Sequence, residues 1–268
     1  MTKSLLSKLN DAKTVLDQVE LTLGRHPGRI SVEAEKSIRA VTINRANIAH
    51  WVDLVKSREA ALRFLGGLER DADADDSVNF GANRVKFHLA RFLGVQAYVA
   101  TSWALADRVT GLVGRVLCTQ ECGLNETSPA QLVPQFIQQN RKKSVAAALY
   151  ESIKRSFGWP IGISYALRNH FIHDGGQQDA TDFFEGPTAG AAFRISEEGW
   201  NRIEKKALET YFVEPSMHRA SWPTNQRDDL RELLIICERE MDDALGVLLG
   251  SACGLLRTHV GLMLGEDS

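Results

Sequence analysis

The spacing of apolar residues constrains this chain more than any other feature. Leu5, Leu6, Leu9, Ala12, Val15, Leu16, Val19 and Leu23 recur at three- and four-residue intervals. That is the period of one helical face and not of a strand. The pattern predicts a helix over 3–23, which His26-Pro27-Gly28 ends. A second helical run is predicted over about 31–69. Ser31 stands at its N-cap, with Glu33 and Glu35 in the first turn. From Asn83 to Cys118 the same period continues through Val85, Leu89, Phe92, Val99, Trp103, Val109 and Val116. This reads as one long, largely buried helix. Ser128 and Pro129 open a further helix towards Phe157 as N-cap and first helical residue. Ser196 opens another, and the last helix runs from about Gln226 to Leu264.

The fold class is therefore all-α, an up-and-down bundle of long helices. One exception is expected. Around residues 181–195, short apolar pieces flank a Gly/Pro-rich turn, and a small β-hairpin fits there. The acidic run DADADDS at 71–77 has no apolar face and is the natural boundary. It divides the chain into an N-terminal helical extension, residues 1–78, and a helical domain, residues 79–268.

Composition excludes several classes. With 44% hydrophobic and 25% charged residues, the 268-residue chain can bury a sizeable core. The formal net charge of -2 gives no overall footprint for long nucleic acid, although a local basic groove remains compatible with it. The N-terminus lacks the apolar run of a signal peptide. The most apolar stretch, 244–256, meets Arg257 before it is long enough to span a bilayer. Within it, Gly246, Gly250 and Gly254 permit close helix approach. Cys118, Cys122, Cys237 and Cys253 form neither a disulfide framework nor a four-ligand zinc set. The expectation is a cytoplasmic protein with reduced thiols, no metal, no cofactor and no membrane.

Chemistry concentrates in one place, LRNHFIHDGG at 167–176. Pro160 suits the first turn of a helix and Gly175-Gly176 suit its end. At about 100° per residue, Ile163, Leu167 and Phe171 fall on one side, with His170 roughly beside them. Tyr165, Arg168, Asn169, Ile172 and His173 fall on the other. His170 thus reads as a boundary residue with a structural role. Asn169 and His173, four apart, share a face, but Arg168 lies about 140° from His173. Position 173 is also near the expected helix C-terminus, where a cationic imidazolium is favoured. Such a group suits a general acid or a phosphate contact. Two plainer readings stand beside this one. The polar residues could be a solvated face, or Arg168 could form a buried pair with an acid.

These residues resemble the HEPN superfamily, whose hallmark is an arginine followed four to six residues later by a histidine. A polar residue often directly follows the arginine. Here the motif reads Arg168-Asn169-His170-Phe171-Ile172-His173 in a helical setting. The resemblance covers about residues 80–260. It implies a HEPN-like bundle and a metal-independent endoribonuclease. Arg168 would hold the scissile phosphate, and His173 would move a proton at the 2′-hydroxyl or the leaving 5′-oxygen. Asn169 would orient these groups, and the products would end in a 2′,3′-cyclic phosphate. It further implies a homodimer with a composite active site, in which Tyr165 and Ile172 would suit the contact. An antitoxin or regulatory partner would fit a toxin–antitoxin or antiphage setting. Gly175 stands where one subgroup carries a tyrosine two residues after the histidine, which argues against that subgroup's antitoxin pairing.

Arg141, Lys142 and Lys143 form a basic cluster that could contact RNA phosphates, or simply be a solvated helix end. Trp159, Trp200 and Trp222 read as packing residues. Three functions stay open: a HEPN ribonuclease, a non-catalytic HEPN module for nucleotide, RNA or dimerisation, and a structural helical protein.

Overall fold

The computed structural model describes residues 4–71, 77–80, 82–119, 159–173, 184–185, 194–211 and 230–265. Among these the fold is all-α, with two short strand pairs. Helix α1 spans Leu5–Arg25 and buries Leu5, Leu9, Ala12, Leu16, Val19 and Leu23. Its first turn is capped by Ser4, whose hydroxyl accepts from the Ser7 N–H.

The helical run expected over 31–69 is in fact interrupted. Helix α2 is Val32–Thr42, capped by Ser31 as its sequence suggests. A 3₁₀ turn follows at Ile43–Asn47, and α3 continues over Ile48–Asp71. The cause is polar. Asn44 is buried, and its amide donates to the Val41 carbonyl at 2.8 Å. Around the same turn Glu20 of α1 accepts from Arg39 and from the Thr42 hydroxyl.

Strands β1 (Ser77–Phe80) and β2 (Asn83–Lys86) pair antiparallel, with Val78 opposite Val85. The long helix α4 therefore starts at Phe87, not Asn83, and runs to Thr119. The sequence expectation of helix over 83–86 is overturned by this strand pairing. The helix expected from Pro129 towards Phe157 lies outside the described residues.

Helix α5 spans Trp159–Arg168 and passes into a π-turn at Asn169–His173. Strands β3 (Phe184–Glu185) and β4 (Arg194–Ile195) pair antiparallel inside the segment where a hairpin was expected. Helix α6, Glu197–Tyr211, packs on α5. It opens with Ser196 accepting the Gly199 N–H at 3.0 Å. Helix α7 spans Leu230–Leu264.

The chain divides into two compact units, which are Met1–Asp53, Leu105–Phe157 and Asp242–Ser268, and Leu54–Ala104 with Gly158–Met241. Among the described residues, 54–71 and 77–80 fall in the same unit as the motif. Helix α7 is long and apolar enough to cross a membrane by length and composition. Leu233, Leu234, Leu245, Leu248 and Leu256 on it are nonetheless buried in the protein.

The core of the second unit gathers Leu65, Phe87, Phe92, Val95, Ile163, Leu167, Leu230 and Leu233, among others. A polar seam crosses it. Tyr98 donates to the Leu234 carbonyl at 2.8 Å, and Arg58 meets Glu238 at 2.9 Å.

Candidate functional site

The site is the end of α5 and the π-turn that follows. Ile163, Leu167 and Phe171 are buried, as the helical wheel requires. Phe171 tilts against Phe92 of α4 with ring centroids 5.3 Å apart. His170 is buried and stands edge-on to Phe171 at 5.1 Å, which agrees with a structural role. Tyr165 packs on Trp103 at 5.2 Å, so its ring is engaged within its own unit. Ile172 is exposed.

Arg168 is half-buried, and its Nη1 donates to Asn169 Oδ1 at 3.1 Å. Among the described residues it has no carboxylate partner. Asn169 itself is buried, which the wheel did not anticipate. The backbone leaves the α-helix at this residue. In a π-turn, hydrogen bonds run i→i+5 and each residue advances only roughly 80°, so positions five apart stack. Arg168 and His173 are five apart. Their azimuths, about 140° apart on an α-helix, close to about 40° when the five steps are π-like. The backbone at 173 is described; the His173 side chain is not among the described residues.

One contributor was missed in the sequence. Gln96 of α4 donates its amide to the Phe171 carbonyl at 3.4 Å, a group inside the π-turn. A π-turn departs from the i→i−4 ladder, and a side-chain donor from a neighbouring helix supports a carbonyl there. The only signal was a single amide in the apolar run Val95-Gln96-Ala97-Tyr98. Arg141, Lys142 and Lys143 lie outside the described residues, as do Trp222 and the side chain of Trp159. Trp200 is buried, in accord with packing. Among the described residues no three His, Cys, Asp or Glu side chains come together as a metal-holding group.

Chemically, the turn offers a guanidinium fixed by an amide oxygen, with a histidine position one π-repeat further on. A guanidinium so held presents its remaining N–H donors in a planar fork suited to phosphate oxygens. Comparison with protein-family models, with curated proteins and with solved structures found no match.

Proposed function

We propose that the chain is a metal-independent endoribonuclease of HEPN type. The observation that carries this reading is the π-turn at Asn169–His173, which sets positions 168 and 173 one repeat apart. Single π-turns within helices occur frequently at functional sites. The resemblance of the RNHFIH motif supplies the reaction class.

In the proposed mechanism the 2′-hydroxyl loses its proton and its oxygen attacks the adjacent phosphorus. The P–O5′ bond then breaks, and the leaving oxygen takes up a proton. His173 moves one of these protons. Arg168 neutralises the charge that gathers on the phosphoryl oxygens. Asn169, buried and accepting from Arg168, acts as a positioning residue that aims the guanidinium. The products are a 2′,3′-cyclic phosphate and a 5′-hydroxyl. A homodimer would place two such turns in one composite site, with the exposed Ile172 at the contact. The proposed setting is cytoplasmic, with an antitoxin or antiphage regulator restraining activity.

The test is cleavage of a labelled RNA in EDTA beside the same RNA carrying 2′-O-methyl groups throughout. Cleavage of the first alone, to cyclic-phosphate ends, is expected. Cleavage of both would refute the 2′-hydroxyl mechanism. Binding of RNA without cleavage would favour a non-catalytic module.

A further inference from the structure

A second polar site lies in the first unit, where nothing in the ribonuclease reading requires one. A recess of about 280 Å³ opens between the 3₁₀ turn with the start of α3 and one face of α4. Asn44, Asn47 and His50 line one wall, and Asp107, Arg108 and Arg115 line the other. Neither arginine has a carboxylate partner among the described residues. The single acid on the walls leaves the recess cationic. By contrast Arg45, on the same turn, is drawn to Asp17 and Glu20.

The recess is also built, not merely lined. Asn44 is 6% exposed, and both ends of its amide are used. Nδ2 donates to the Val41 carbonyl at 2.8 Å, while Oδ1 accepts from Arg115 Nη1 at 3.2 Å. One donor of Arg115 is thereby anchored, and the rest of the fork stays available. The backbone departs from the α-helix at this place and nowhere else between Val32 and Asp71. A 3₁₀ stretch within a helical run often marks a functional hinge or a sequence under strain. This one sets Asn44 against Arg115 and leaves Asn47 on the recess wall.

We infer that this recess binds the phosphate-monoester group of a small ligand. A phosphate dianion matches the two guanidinium groups, the imidazole of His50 and the Asn47 amide in charge and in acceptor number. Asn44 serves as a positioning residue that holds the Arg115 fork ready.

The test is calorimetric titration of the full chain with inorganic phosphate and with ribose 5-phosphate. A 5′-hydroxyl, 3′-hydroxyl RNA oligonucleotide serves as the phosphodiester arm. Saturable one-to-one binding of both inorganic phosphate and ribose 5-phosphate is expected. Arg108→Gln and Arg115→Gln, both at exposed positions, should each weaken it about ten- to hundredfold. Asn44→Ala should weaken it similarly while the far-ultraviolet circular dichroism stays native. Absence of saturation up to about 20 mM, or wild-type affinity in either arginine variant, would overturn the inference. So would binding by the oligonucleotide alone. The ribonuclease reading is tested by cleavage at a different site, so each can fail without the other.

Discussion

Removing Glu238 should expose the dependence of the second unit on one buried ion pair. Arg58 and Glu238 meet at 2.9 Å, with side chains 1% and 19% exposed. Moving a guanidinium from water into the interior costs several kcal/mol, and the attraction of the acid offsets this only while the acid is present. Glu238→Ala takes the carboxylate from the buried cation while its other contacts remain, a change that costs no more than about 3–5 kcal/mol, the figure for a fully enclosed pair. Glu238 retains some contact with water, so about 3 kcal/mol is the better expectation. For a protein of this size that corresponds to a Tm lower by about 6–12 °C. Replacing both residues with methionine removes both charges at similar volume and should leave stability within about 1–2 kcal/mol of wild type. Differential scanning calorimetry of wild type, Arg58→Met, Glu238→Ala and the double variant reads these directly. The reasoning is refuted if Glu238→Ala lowers Tm by less than about 2 °C. It is equally refuted if the double variant is no more stable than Glu238→Ala.

Other consequences follow from packing and burial. A Cβ at Gly94 would lie 2.7 Å from a Leu65 methyl carbon, whereas one at Gly250 would meet nothing within 4 Å. Gly94→Ala should therefore destabilise by about 1–3 kcal/mol, and Gly250→Ala should stabilise by up to about 1 kcal/mol, in urea unfolding. Burial pushes the Cys237 and Cys253 thiols up to about 12. Neither should label with iodoacetamide at pH 8 in the native protein, and a modified Cys237 or Cys253 peptide by mass spectrometry would contradict this. The same shifts fix a sign. Above pH 9 the unfolded thiols release protons that the folded ones keep, so stability falls as pH rises. Between pH 9 and 10 the two together give a loss of roughly 2–3 kcal/mol, and a flat or rising stability there would contradict the burial.

Local signals made much of the fold readable. The apolar stripe of α1, the Ser31 and Ser196 caps and the small hairpin near 181–195 are each written in neighbouring residues. The features that escaped depend on distant partners. Asn44 interrupts the helical run because Arg115, 71 positions away, holds its oxygen. The β1–β2 pair rests on four residues a side, and its Gly81-Ala82 link hid beside an acidic stretch. At the motif, the apolar face of α5 was legible from Ile163, Leu167 and Phe171. The π-turn was not, since no residue pattern distinguishes i→i+5 from i→i+4 bonding. The burial of Asn169 was not legible from the wheel either.

The central claim is tested most directly on total RNA in EDTA, with wild type, Arg168→Ala, His173→Ala and His170→Ala each shown to be folded. The account predicts cleavage by wild type, loss of cleavage in Arg168→Ala and His173→Ala, and retention in His170→Ala. Cleavage undiminished in Arg168→Ala or His173→Ala would contradict it, as would four folded, dimeric proteins that leave the RNA intact.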